Sequence, residues 1–490
     1  MNIKKRIFGV LPSILALVVL SGGCYRYTPP ATDFDADVFS SRTKGKQDDI
    51  LQDVKILNLE KAQEIAIKNN PDYISVYHAV NAARMRYYQA LNAYMPEFNA
   101  SFNMGINGNE NYNRHNVATT RNRAFTTQTG LNASWLIFDG FIRTMDVLSA
   151  RESWTAQRHQ EDDTRRILMR SVAYAFNDIL LARGQRAIAK ADMDFQLKNL
   201  EQTQLKLEFG AVPLSDVLNF KILVNNAIGD QLAAEYAYNA AVYSLAVLMG
   251  YPDGNLPAHI DFPPINAGTD EHVSTVDVYL DIALNNRPDL KYYREQVKIN
   301  EYSLYAAYGA YSPVVRANAG VGFDTAAGRS STAGLGASNS YANSPNWSAG
   351  VTVEWLLPLE WRRAARVKEA QATIAQARFN VASTWLNVVE EVRAAYDNYV
   401  QNVRLARLYV TTLDLVTKQR ELVEEEYNAG NTELTRLNEA QLKYVQAENT
   451  MINSLVSVQK AIAQLRAATN TSPIGTRVEQ AVSVDKKSEQ

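Results

Sequence analysis

The 490-residue chain carries 50 Lys and Arg against 52 Asp and Glu, a net charge of −2. That balance excludes a broadly basic nucleic-acid surface and an acidic solvating tail protein. The single cysteine, Cys24, excludes an intrachain disulfide or a thiolate metal cluster, and the five histidines include no pair at metal-ligand spacing.

The chain starts with an address label. Lys4, Lys5 and Arg6 precede an apolar run from Ile7 to Leu20, and Ser21-Gly22-Gly23-Cys24 follows. A basic start, a short apolar stretch and small residues make a secretory signal peptide over residues 1–23. The run is too short to span a bilayer comfortably. Its end resembles a bacterial lipoprotein signal, which implies a lipid (palmitate among the acyl groups) on Cys24. The alternative is a plain signal peptide cut nearby, with Cys24 incidental. Tyr25 after the cysteine, in place of an aspartate, favours delivery to the outer membrane. Residues 24–56 are then a lipid-anchored N-terminal segment. Beyond the signal no run is apolar enough for a membrane helix, so a membrane crossing has to be made by a barrel.

The rest of the chain is one unit written twice. Asn69-Asn70-Pro71-Asp72 recurs 217 residues later as Asn286-Arg287-Pro288-Asp289, and Ile65-Ala66 as Ile282-Ala283. Tyr94 and Pro96 match Tyr311 and Pro313 at the same offset. Farther on the offset is 220: Trp135 matches Trp355, Arg143 matches Arg363, Gly210 matches Gly430, and Leu214 matches Leu434. The repeats are placed at residues 57–250 and 274–470, with a proline-rich linker at 251–273 and a polar, flexible tail at 471–490.

Each half reads as helix, strand, strand, long helix, break, helix. Phe98, Ala100, Phe102, Met104 and Ile106 alternate with Asn, Ser and Gly, and so do Leu131, Ala133, Trp135 and Ile137. The second half repeats this at Val315–Phe323 and Trp347–Trp355. Such alternation fits either a half-exposed sheet on a soluble core or a lipid-facing barrel wall. In the second case Tyr94, Phe98, Trp135, Phe138, Trp347, Trp355 and Trp361 form interfacial belts at the strand ends. The polar stretches 108–128 and 324–346 are expected to be connections. Helices are expected from Ile142 to Glu208 and from Arg362 to Tyr427, each about 100 Å long at ~1.5 Å per residue. Apolar spacing of four and three from Val392 through Tyr396, Tyr399, Val403, Ala406 and Val410 to Leu413 predicts side-by-side packing of long helices. Ser215 or Asp216, and Thr432, are expected to cap the returning helices.

Four strands cannot close a barrel, so a membranous reading demands several copies of the chain. At this point the chain resembles the TolC family of outer-membrane efflux channels, in its lipoprotein branch. The resemblance covers residues 57–470 and rests on the duplicated Asn-x-Pro-Asp start, the strand pairs, the long helices and the two glycine turns. It implies a mainly α fold with a transmembrane β-barrel, in which a homotrimer builds a twelve-stranded β-barrel that continues into a long periplasmic α-helical barrel. It implies a passive duct of a tripartite pump, working with a periplasmic adaptor (membrane fusion) protein and an inner-membrane transporter of the resistance-nodulation-division type. Gly210, Ala211, Leu214, Gly430 and Leu434 then lie at the periplasmic tip where the adaptor docks. Asp216 and Tyr427 correspond to a latch that holds the tip closed, and Arg436 and Glu439 to the pore constriction. Glu439 keeps the family's carboxylate, whereas Arg436 reverses the sign of the other ring, which predicts weak or mixed ion selectivity. Arg436 and Glu439, three apart on a helix, also suit a plain surface ion pair.

No catalytic constellation, metal site, phosphate loop or cofactor motif stands out, so an enzyme is not expected and the only attached group is the lipid on Cys24. The alternative function is a lipid-anchored periplasmic coiled-coil lipoprotein without a channel, which leaves the matched strand pairs unexplained.

Overall fold

Proline and asparagine set the first break in each repeat. A computed structural model describes residues 51, 54–113, 118–251, 253–265, 275–332, 336–356 and 361–471. Helix α1 (Leu59–Asn69) stops at Asn70, and α2 (Pro71–Asn92) starts with Pro71 at its first position, where the missing N–H costs nothing. The Asn70 side chain caps α2 by accepting from the Tyr73 N–H at 3.1 Å. The second repeat breaks at the same place, between α5 (Val276–Asn286) and α6 (Pro288–Gly309). Each repeat therefore opens with two helices where the sequence pattern suggested one.

Two strands follow in each repeat: β1 (Glu97–Asn113) and β2 (Ala118–Phe138), then β3 (Val314–Thr332) and β4 (Gly336–Glu354). The polar stretches expected as connections, 108–128 and 324–346, are strand over nearly their whole length. Pairing is continuous, from Glu97 opposite Ser134 up to Asn113 opposite Ala118, and from Val314 opposite Glu354 up to Thr332 opposite Gly336. The ladder is made by backbone groups, so it runs on where side chains turn polar. The four strands form one antiparallel sheet in the order β1-β2-β3-β4, so β1 and β4 have free edges.

The long helices match expectation. Helix α3 (Ile142–Glu208) has no proline and one glycine, and α7 (Trp361–Asn428) has neither. Each turns back, into α4 (Leu214–Leu248) and α8 (Leu434–Thr469). Within the predicted seam Val392, Tyr399, Val403 and Ala406 are buried, but Val410 is 47% exposed. An untwisted helix drifts ~20° per heptad, which carries the stripe off the contact line.

Two apolar cores sit midway along the helices. In one, α1 and the segment around Tyr251–Phe262 pack on the middle of α3 and the end of α4. In the other, α5 packs on α7 and α8. No helix among the described residues is long and apolar enough to cross a membrane. Cys24, the signal peptide, most of the N-terminal segment and the tail beyond Thr471 lie outside the described residues.

Candidate functional site

The two hairpin tips are built alike. After α3, Gly210 takes φ +72°, and its N–H bonds to the Leu207 carbonyl at 2.9 Å while Ala211 N–H bonds to Lys206 O at 2.8 Å. After α7, Gly430 takes φ +76°, with matching bonds to Tyr427 O at 3.0 Å and from Asn431 to Glu426 O at 2.8 Å. This paired bonding closes a helix through one left-handed residue, and glycine is needed for the backbone angle alone, since open space surrounds both. Gly210, Ala211 and Gly430 are exposed, Leu214 is exposed and Leu434 half-buried, so all five predicted tip residues gather at the ends of the two hairpins.

The caps differ from expectation. Pro213 and Glu433 occupy the cap positions of α4 and α8, with no side-chain cap bond at either. Ser215 instead donates to Asp216 at 3.3 Å, and Asp216 lies in the first turn, where a carboxylate suits the positive end of the helix dipole. Each returning helix starts earlier or later than expected, with extended backbone at Pro213 and at Glu433, which leaves Ser215 and Asp216 inside the first turn and Thr432 one residue before the cap.

Tyr427 ties one hairpin to the other. It packs on a small core of Val423, Leu437 and Ala440 together with Phe195. The Lys206 ammonium sits 4.8 Å from its ring centre. Burial pushes the Tyr427 phenol above its usual range, a hydrogen bond with Thr203 works the other way, and the nearby Asp216 charge adds to the upward push. Within one chain, then, Thr203 and Asp216 are both close enough to act on the phenol.

At the predicted constriction, Arg436 pairs across the turn with Glu426 at 3.6 Å, both side chains being exposed. The Arg436–Glu439 pairing suggested by helix spacing gives way to this one, because the tight turn brings the end of α7 beside the start of α8. Glu439 is exposed.

At the other end, where strands meet helices, the duplicated residues form duplicated contacts. Trp135 Nε1 donates to Tyr94 O at 3.1 Å, and Trp355 Nε1 donates to Tyr311 O at 3.1 Å. Arg143 Nη1 donates to Leu136 O at 2.7 Å and lies 4.3 Å over the Tyr94 ring. Arg363 Nη1 donates to Leu356 O at 2.8 Å and lies 5.8 Å from the Tyr311 ring. Three of the belt aromatics thus anchor strand ends to helices. Phe98 is near a strand end, Phe138 packs edge-on against Phe141, and Trp361 starts α7. Trp347 is not at a strand end: β4 runs on to Gly336, which leaves it in the strand interior.

One cluster escaped sequence reasoning. Arg287, 4% exposed, holds Asp289 with two bonds at 3.0 and 2.7 Å, Glu391 at 2.6 Å, and Ala468 O at 3.2 Å. Buried Arg166 binds Asp163 at 2.9 Å and Ala467 O at 3.2 Å. Two guanidinium groups therefore satisfy the last carbonyls of α8: Arg287 from within its own repeat, and Arg166 from the other, which links the two repeats. Burial works to raise the Asp289 pKa, but the Arg287 guanidinium outweighs it and holds the carboxyl below its usual value. In the first repeat the matching residue, Asn70, donates to Leu248 O at 3.0 Å. The Asn-to-Arg change inside the duplicated motif was the signal that could have pointed to this cluster.

Among the described residues no group of three or more His, Cys, Asp or Glu is placed to hold a metal ion.

A family model described as outer membrane efflux protein matches residues 63–251 and 279–471. The outer membrane protein TolC of Vibrio cholerae is 21% identical over 433 residues, covering 87% of this chain and 92% of its own length. Among solved structures, CusC superposes with a TM-score of 0.70 at 18% identity, over 85% of this chain and 93% of its own. The CmeC outer membrane channel of Campylobacter jejuni gives 0.68 at 17% identity, over 87% and 88%. The open-state MtrE outer membrane channel of Neisseria gonorrhoeae gives 0.66 at 17% identity, over 84% and 88%.

Proposed function

Because the chain belongs to the outer membrane efflux protein family, we propose that it is the passive outer-membrane duct of a tripartite export machine, built from three copies. The observation that carries this reading is the open four-stranded sheet: β1 and β4 have free edges, and all 19 residues of β4 are exposed. An unpaired edge has no place in lipid. In the antiparallel order, β4 of one copy can pair with β1 of the next and keep the alternation, so three copies close a twelve-stranded barrel with no edge left. Helices of 67 and 68 residues extend it as a tube across the periplasm.

In this reading the tips at Gly210, Ala211, Leu214, Gly430 and Leu434 receive the hairpins of a periplasmic adaptor. Tyr427 and Asp216 latch the closed tip, and adaptor binding releases them. Arg436 and Glu439 line the narrowest ring. An inner-membrane transporter of the resistance-nodulation-division type supplies the energy. Cys24 carries the lipid anchor. The matched strand pairs favour the duct over an anchored coiled-coil spacer.

The test is the oligomeric mass in detergent, by light scattering with the detergent subtracted, together with conductance in planar bilayers. A conducting trimer supports the reading. A stable monomer that is not a product of detergent dissociation overturns it in favour of the spacer.

A further inference from the structure

The register of the sheet brings two arginines face to face. Arg123 on β2 lies directly opposite Arg329 on β3, in a row completed by Gly108 on β1 and Asn339 on β4. Like charges directly opposite one another oppose sheet pairing. No carboxylate relieves them within the row. In the next row out, Glu110 is already paired with Arg121. Among the described residues neither Arg123 nor Arg329 has an ion pair, and both are exposed.

Their face is the informative part. Side chains alternate along a strand, so Arg123 shares a face with Phe125, Leu131 and Trp135. Arg329 likewise shares a face with Phe323 and Val321. This is the apolar face, which looks outward in the barrel reading. One row inward lie Ile106, Phe125, Ala327 and Tyr341. Together with the arginines they line a shallow depression of about 310 Å³.

Height along the barrel is fixed by counting. Arg123 is twelve residues beyond Trp135, or about 40 Å of strand and ~30 Å along the membrane normal at a ~40° tilt. An outer-membrane barrel has an apolar band ~25 Å tall. With Trp135 at the inner edge, the two arginines stand just above the outer edge, at headgroup level.

We propose that Arg123 and Arg329 form a binding site for the phosphate headgroup of an anionic lipid in the outer leaflet, with Phe125, Ile106 and Tyr341 against the lipid's apolar part. The inference rests on the duct reading for its orientation. A phosphate between the two guanidinium groups offsets their repulsion and accepts planar, paired hydrogen bonds from each. All of the site comes from one chain, so a trimer carries three.

The test uses the full-length protein in neutral detergent, followed by native mass spectrometry. The probes are lipid A with both phosphates, the same glycolipid without phosphates, and inorganic phosphate. The intact protein should prefer the phosphorylated lipid by at least about tenfold, from ~1 kcal/mol per arginine near a charged surface. The Arg123→Gln/Arg329→Gln variant should lose that preference. Arg123→Lys/Arg329→Lys should keep only part of it, since the charge stays but the paired bonds are lost, and Arg316→Gln on the opposite face should leave it intact. Removing the repulsion should also raise the double Gln variant's melting temperature in lipid-free detergent. Equal binding of both lipids, or an undiminished preference in the double Gln variant, overturns the proposal. Displacement of lipid A by millimolar inorganic phosphate overturns the lipid assignment in favour of a free-anion site. Heat-modifiable migration of the same samples separates the two readings: a barrel without lipid preference sinks this site alone, whereas no barrel sinks the duct.

Discussion

Arg287→Asn, which installs the first repeat's residue in the second, is expected to loosen the middle of the helical tube. An asparagine there can still cap α6, as Asn70 caps α2. It removes the guanidinium that binds Asp289 at 2.7 Å and Glu391 at 2.6 Å. Breaking a buried pair from one side costs ~3–5 kcal/mol. The carboxylates keep 22% and 27% exposure, which places the expected cost at the low end, about 3 kcal/mol. Sub-global opening at that cost lowers hydrogen-exchange protection about a hundredfold. The assay is exchange mass spectrometry on peptides covering 280–295 and 460–471, with 97–113 as the control that should not change. Glu391 keeps Arg170 at 3.6 Å and Arg166 at 3.9 Å, so adding Glu391→Ser, the residue matching Ser171 of the first repeat, should deepen the loss by removing the carboxylate those two arginines share. Protection within about threefold of the parent for Arg287→Asn would falsify the claim that this guanidinium ties the start of α6 to α7 and the end of α8.

Lowering the pH tests the same cluster from the other side. The folded pKa of Asp289 lies below its ordinary 3.8, so its stabilisation is complete above the unfolded value and is lost only as pH falls through the folded one. Exchange protection around Asp289 should therefore hold from neutrality to about pH 4.5 and fall below that range; a fall already at pH 6 would assign the sensitivity to another group. Gly430→Ala should cost about 1–2 kcal/mol at the tip, read as faster exchange over 425–436, because φ is +76° although nothing crowds a Cβ. Tyr427→Phe should raise single-channel conductance by loosening the contact between the hairpins; unchanged conductance removes the latch from the account. Arg436→Asp should move the reversal potential toward cation selectivity, and no shift would place Arg436 away from the narrowest ring. Trp135→Phe and Trp355→Phe should each cost about 1 kcal/mol, and unequal losses in the melting temperature would contradict the equivalence of the two junctions.

Much of the fold was legible in the sequence because it is local. The absence of proline between Ile142 and Glu208, and of both proline and glycine between Arg362 and Tyr427, marks the long helices to within a residue or two. Gly210 and Gly430 mark their ends, since only a left-handed residue closes a helix in that way. The tip residues were legible for the same reason. The polar halves of the strands were not, because the pattern there carries no apolar alternation and the ladder depends on backbone groups that every residue possesses.

The chain order alone determined the duplication, the period of each element and the turns, all of which depend on neighbours within a few residues. Tertiary structure decided which distant groups meet. Arg287 finds Glu391 across 104 residues of chain, Arg166 reaches Ala467 O across 301, and Tyr427 on one hairpin meets Thr203 on the other. The facing of Arg123 and Arg329 is also a matter of register, which the ladder sets along its length and which a slip of one residue would undo. Charges act over a few ångströms of space, whatever their separation in sequence, so partnerships such as these exist only once the helices and strands have been laid side by side.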